Sequence, residues 1–530
     1  MGKWRANWPD RRRVIGGLAG TGAVQLAGPG LAQQTQDVDH FLRAKIGHVV
    51  VIYAENRSFN NLFSNFPSLA HPLSAVEPKS FAQRDRDGTV LEVLPPIWGG
   101  LVPTPQTLNG ATHQIGQDAV SGLSNTPFKL RMPDGAPLPL GLVTRDLVHA
   151  FYHNQMQING GRNDGFVAWG DSGALVMGHY SDAAVEMRLA GLAREFALCD
   201  NFFMGAFGGS FLNHQYLIAA RPPFYPDANI GPASHLIATL EGEDPKGTRL
   251  KPLPRSPVSA MDGPPKFAPN ALTPDFWAVN TMVPPYPPTL GDESNPLRLP
   301  PQVHKTIGDV LHEKGVEWAW YAGAWQASLE GATSNEMSFP PKPVFKVHHQ
   351  PLNYFVNFAP GTAQRAARLR DGGLGSTPET NKFMADTQDG KLPTVTFYKP
   401  QGDLDMHAGY SNVADGDNHI AAVINQLRNG PQWHDMLIIV TFDENGGWWD
   451  HVAPPKGDRW GPGSRIPAIV ISPHVRQGHV GHTVYDTGSI ARFLTRRFDL
   501  EKLQGLTIRE QEMRHNAGFA PGDLTELLAI

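Results

Sequence analysis

This sequence predicts an α/β fold built on a large, mostly parallel sheet, on three observations. Short apolar runs recur along the chain, each nearly continuous rather than alternating. Helical patterns lie between some of them, and glycines stand where those helices give way to the next run. Continuous apolarity belongs to strands covered on both faces, the condition of a parallel sheet between helices. Helix, glycine, strand, repeated, is an α/β order.

The first strand is "HVVVIYA" (48–54). "HKTIGDVLHEKG" (304–315) carries apolar residues at helical spacing and stops on Gly315, just before the strand "VEWAWYA" (316–322). "LPTVTFY" (392–398) is the next strand. The helix "GDNHIAAVINQLRNG" (416–430) follows it and leads into "MLIIVTF" (436–442), and "IPAIVIS" (466–472) is the last run. Residues 221–303 differ, since they hold 19 of the 47 prolines. So much proline excludes a central strand or a long helix. The aromatic residues of "FWAVNTMVPPYPP" favour packing over disorder, so this segment is expected to be an insertion draped over the core at the substrate entrance. With no internal repeat and no second core, residues 33–530 are expected to form one elaborated domain.

At 530 residues, 41% hydrophobic and 18% charged, the chain has ample material for a large core. Its net charge of −5 argues against a nucleic-acid partner. A single cysteine, Cys199, excludes an intrachain disulfide. At the N-terminus, three arginines (11–13) precede a weakly apolar stretch, Val14 to Ala27, and a small-residue site, Gly30-Leu31-Ala32. That is the order of a secretory signal, and the adjacent arginines resemble a twin-arginine signal, read by an export machinery that carries folded proteins. Residues 1–32 are therefore expected to be a signal and the mature protein to be periplasmic or secreted. No later run reaches about 18 apolar residues, so no transmembrane span is expected.

The chemistry collects at strand ends, where ligands bind in α/β sheets. The 48–54 strand runs into Glu55, Asn56 and Arg57; the 436–442 strand runs into Asp443, Glu444 and Asn445. Glu55, Asn56, Asp443 and Glu444 all offer oxygen, the donor that a hard divalent cation takes. Bringing three carboxylates together without a cation costs several kcal/mol in desolvation and repulsion. Ser210 follows Gly208-Gly209 and opens a helical pattern. A hydroxyl there lies in positive potential among free N–H groups, and glycines let the backbone approach a tetrahedral anion. Asn213, one turn on, faces the same ligand. No Gly-x-Ser-x-Gly elbow surrounds Ser210, which disfavours a triad esterase. The pair His348-His349, together with His407 and His113 in glycine-rich surroundings, supplies donors near neutral pH.

The segments "HVVVIYAENRSFNNLF", "FYHNQMQINGGRNDGFVAWGD", "FGGSFLNHQY", "HHQPLNYF", "MHAGY" and "FDENGGWWDHVAPP" occur in the order seen in the bacterial phosphoesterase family. That family comprises secreted acid phosphatases and phosphatidylcholine-hydrolysing phospholipases C. The resemblance implies an alkaline-phosphatase-like core, one divalent metal ion held by Glu55, Asn56, Asp443 and Glu444, and Ser210 as nucleophile. It implies Asn213 as the amide supporting the phosphoryl oxygens. His113, His348, His349 and His407 would be the histidines that bind phosphate or help the leaving group. Family phospholipases typically carry Thr after Gly-Pro, whereas this chain has Gly-Gly-Ser, closer to the acid-phosphatase branch. The expected activity is therefore an acid phosphatase working on phosphomonoesters through a phosphoserine, with cationic histidines favouring pH below neutrality.

The alternative is a phospholipase C acting on phosphatidylcholine-type diesters, whose partner is a lipid head group. A sulfatase is disfavoured because "GGSFLNH" lacks a Cys/Ser-x-Pro-x-Arg context. A catalytically inactive exported binding protein is disfavoured because neither nucleophile nor ligand is missing. Oxygen-rich ligation admits Mg, Mn, Ca, Fe or Zn.

Overall fold

The structure, a computed structural model, describes residues 29–182, 184–289, 291, 294–333 and 343–530. The expected signal falls, up to residue 28, outside them. No described helix is long and apolar enough to cross a membrane.

Eight strands form the main sheet: β1 (His48–Ala54), β2 (Ala197–Cys199), β3 (Trp318–Gly323), β4 (Leu369–Gly373), β5 (Val395–Lys399), β6 (Met436–Phe442), β7 (Ala468–Ile471) and β8 (His479–Gly481). Their order is β8-β2-β7-β6-β1-β5-β3-β4. Every pairing is parallel except those of β7, which runs antiparallel to both β6 and β2. The five apolar runs read from the sequence are β1, β3, β5, β6 and β7, and β3, β5 and β6 are buried at every residue. β2, β4 and β8 are short, and β4 carries an arginine, an aspartate and two glycines, so no continuous run announces it.

Two helices anticipated before strands are present. Ile307–Glu313 is closed by a capping box of Thr306 and Asp309, and Val413–Asn429 is capped by Asn412. Side-chain caps of this kind are worth about 1 kcal/mol each. Among its described residues the proline-rich segment has only short stretches of 3₁₀ helix, at Ala228–Ile230, Pro232–Leu236 and Ala260–Asp262. It packs through buried Leu236, Leu250, Leu272, Met282 and Leu299, and its Asn280 accepts a hydrogen bond from the backbone N–H of Phe151 at 2.9 Å.

Register is what builds the site. β1 lies between β5 and β6, with Ala54 level with Phe442 and Ile52 level with Tyr398. The next residues, Glu55 and Asp443, therefore emerge side by side, and Lys399 at the end of β5 stands level with Tyr53. The chain then has to leave the β6 end at once. Gly446 and Gly447 do this with φ of 60° and 76°, and a Cβ at Gly446 would lie 2.3 Å from the carbonyl oxygen of Asn56. Only glycine fits that approach.

Candidate active site

Ser210 is the first residue of a buried helix, α1 (Ser210–Ala219), and the loop before it is held open by one amide. Asn213 accepts from the backbone N–H of Ala206 at 2.9 Å, and its Nδ2 donates to the carbonyls of Ala206, Gly208 and Gly209 at 3.1–3.2 Å. Fully buried and occupied in this way, Asn213 shapes the loop. In this structure its Nδ2 is engaged by those three carbonyls. Gly208 has φ of 94°, and a Cβ there would meet the backbone of Phe151 at 2.6 Å.

Arg509 braces the same loop by donating to the carbonyl of Gly205 at 2.8 Å, and it pairs with buried Asp486 at 3.0 Å. Arg492 holds the other oxygen of Asp486 at 2.6 Å. Burial alone would raise the carboxyl of Asp486, but the two guanidinium groups hold it below the ordinary range. A depressed carboxylate stabilises the fold above its unfolded value of about 3.9 and loses that contribution as pH falls through the folded value. Asp486→Asn is accordingly expected to lower Tm at neutral pH and to flatten the acid limb of a melting-temperature profile against pH.

The Ser210 hydroxyl donates to Glu55 Oε2 at 3.1 Å and lies 3.3 Å from Asn56 Oδ1. Asn56, at φ 60°, turns its N–H onto Asp443 Oδ1 at 3.0 Å. Thus the ends of β1, β6 and the start of α1 meet, as the strand-end reasoning anticipated. His349 Nε2 lies 3.1 Å from Glu55 Oε1, and His348 packs on His349 with ring centroids 5.0 Å apart. His407 Nε2 is 4.0 Å from Glu55 Oε2, its Nδ1–H being directed at the carbonyl of Ala408. His113 is not brought into this cluster. It sits half-buried on a hairpin, in the strand Ala111–Ile115, opposite Gln106, and no hydrogen bond or ion pair described for it reaches the site.

Four further residues belong to the cluster that sequence reasoning did not select. Lys399 Nζ, fully buried, is 2.5 Å from Glu55 Oε1 and donates to the carbonyl of Tyr53 at 3.1 Å. Asp405 is buried beside His349, with Oδ2 at 3.9 Å from its Nε2. His214 donates through Nδ1 to the carbonyl of Ser210 at 2.8 Å, which directs Nε2 toward Glu55 Oε1, 3.9 Å away. His149 Nε2 lies 3.7 Å from Glu444 Oε1 and 3.2 Å from Asn56 Nδ2. The signals were available for two of these: Lys399 ends a predicted strand, and His214 lies one turn beyond Ser210 on the same helix face.

A cation fits these donors. Asp443 Oδ2 and Glu444 Oε1 are buried with no hydrogen-bond donor aligned on them, a costly condition for carboxylate oxygens. Ligand atoms of Glu55, His214 and Asp443 lie within 4.8 Å of one another, as do those of Glu55, His348 and His349. Glu55, Asn56, Asp443 and Glu444 offer oxygen, the donor a hard divalent ion takes, and the histidines add nitrogen.

A sequence profile of the phosphoesterase family matches residues 46–501. The chain belongs to that family. As a phosphoesterase it is a hydrolase of phosphoric ester bonds. It is 23% identical to phospholipase C B of Mycobacterium tuberculosis over 484 residues, 86% of this chain and 73% of that one. Against the non-specific phospholipase C6 of Arabidopsis thaliana the identity is 30% over 190 residues, 29% of this chain and 36% of the relative. Among solved structures, a protein in the alkaline phosphatase superfamily from Vibrio parahaemolyticus aligns over 76% of both chains with 11% identity and a TM-score of 0.31.

Electrostatics separate the phosphoesterase's titrating groups. Burial and the charge of Glu55 push Asp443 up to about 7, and burial raises Glu444 and Asp405 well above the carboxylate range. Burial opposes the charge of Glu55 too, yet Lys399 and His349 hold it well below that range. Burial lowers His348 and takes His349 and His407 down to about 4. His149 is the exception: burial opposes its charge, but Glu444 and Asp146 raise it to about 9.

Proposed function

We propose that this phosphoesterase is a metal-dependent phosphatase that passes the phosphoryl group of small phosphomonoesters through Ser210. The observation that carries the reading is the serine hydroxyl at a helix start, 3.1 Å from Glu55 Oε2, on the floor of a cleft of about 870 Å³. Ser210 Oγ attacks phosphorus in line, forming the Oγ–P bond as the bond to the alcohol oxygen breaks. Glu55 Oε2 already accepts the serine proton. His149, facing Glu444 through Nε2, is the group that protonates the departing alkoxide and steadies the phosphoryl oxygens. Water then hydrolyses the phosphoserine on the same path in reverse. A divalent ion held by Glu55, Asn56, Asp443 and Glu444 would lower the serine's pKa and offset charge on the phosphoryl oxygens. Arg11 to Arg13 and the apolar stretch behind them support export by the twin-arginine route to the periplasm or beyond.

A second reading, a phospholipase C acting on diesters, is favoured by the phospholipase C relatives. One comparison separates them: kcat/KM for p-nitrophenyl phosphate against p-nitrophenylphosphorylcholine, before and after chelation and with single metals restored. The expected result is a monoester preference of about tenfold or more, lost on chelation. A diester preference replaces the phosphatase reading, and activity indifferent to chelation removes the metal.

A further inference from the structure

The cleft over Ser210 has an arginine and a lysine among its described lining residues, Arg145 and Lys346. Arg145 is tied to Asp171 at 3.1 Å. Lys346 precedes the turn Val347–His349. Its carbonyl accepts from the backbone N–H of His349 at 2.9 Å, so the turn that sets His349 against Glu55 also sets the root of Lys346. Its Nζ lies 4.8 Å from the centre of the Tyr410 ring, which stacks on His407 at 4.1 Å. Lys346, Tyr410 and His407 thus form one wall that ends at Glu55 Oε2, the acceptor of the serine proton.

A phosphomonoester carries close to two charges above its second pKa of about 6, and a diester carries one. A lysine can tell these apart, because its ammonium is a compact point charge on a stem of four carbons that reaches along the wall. Phe211 and Tyr410 also line the cleft, and a low-dielectric wall strengthens that interaction. We propose that Lys346 reads the second negative charge of a phosphomonoester, setting its ammonium against the phosphoryl oxygens and thereby fixing preference for monoesters over diesters. The inference rests on the phosphatase reading above and names the residue that makes it selective.

The test holds the leaving group constant. Full-length wild type, K346M and K346R are assayed on p-nitrophenyl phosphate and on methyl p-nitrophenyl phosphate, with melting curves to confirm folding. The ratio of the two kcat/KM values is expected to fall about 30-fold or more in K346M and to stay within about threefold of wild type in K346R. A K346M ratio equal to that of wild type overturns the proposal. If K346M does not fold, K346Q, which keeps a polar end, is read in the same way. A wild-type enzyme that prefers the diester refutes the phosphatase reading alone, because the assignment of Lys346 is judged on the change in ratio.

Discussion

Ser210→Ala is expected to lower phosphomonoester turnover by about 10³-fold or more while leaving the protein folded. Ser210 is 6% exposed, and its hydroxyl bonds to Glu55 and Asn56. Removing it takes no packing from the core, and no other hydroxyl is described as hydrogen-bonded to Glu55. What survives is the binding and electrostatic part of catalysis, which typically leaves measurable activity over water when a nucleophile is lost. Two measurements check the role. Steady-state kcat on p-nitrophenyl phosphate gives the loss, and acid-quenched enzyme analysed by mass gives a phosphoryl adduct on the wild type that the variant lacks. Near-normal turnover by the alanine protein would remove Ser210 from the chemistry. Ser210→Thr keeps the hydroxyl and is expected to retain far more activity than the alanine variant.

The central strands were legible because a strand buried on both faces must be apolar at nearly every position, and β5, β1 and β6 are such strands. Once they are parallel neighbours, their register forces Glu55 and Asp443 together, so a rule about strand ends found both without any knowledge of the fold. Short edge strands carry little apolar burial, and β4 and β8 left no comparable trace. Histidines divided along the same line. His348 and His349 stood out as a pair, but His113 was selected only for its glycine-rich surroundings, and those glycines make the tip of a hairpin at Asn109-Gly110. His149 enters the cluster from a loop whose sequence has no strand or helix signal, so nothing local distinguishes it from a surface histidine. Lys399 was hidden for a different reason: a lysine ending a strand reads as the polar boundary of that strand, and only the neighbouring acids reveal it as interior.

Lys399→Met is expected to destabilise the metal-free protein by about 3–5 kcal/mol, the cost of breaking a buried ion pair from one side. Glu55, Asp405, Asp443 and Glu444 are all fully buried, and Lys399 is the lysine buried among them. Methionine keeps much of the stem's volume, so the change is mainly one of charge rather than of packing. With the ammonium gone, Glu55 loses the closest of the groups that keep it ionised, and its repulsion with Asp443 and Asp405 is no longer offset. Pairing the change with Glu55→Gln removes both charges, and the double variant should therefore recover part of the loss. A double-mutant cycle in urea measures that coupling directly. A divalent ion draws on the same carboxylates, so saturating the single variant with metal should restore stability by more than it does for wild type. A chelated Lys399→Met protein as stable as chelated wild type would mean that the acids at the ends of β1 and β6 are held together by something other than this ammonium.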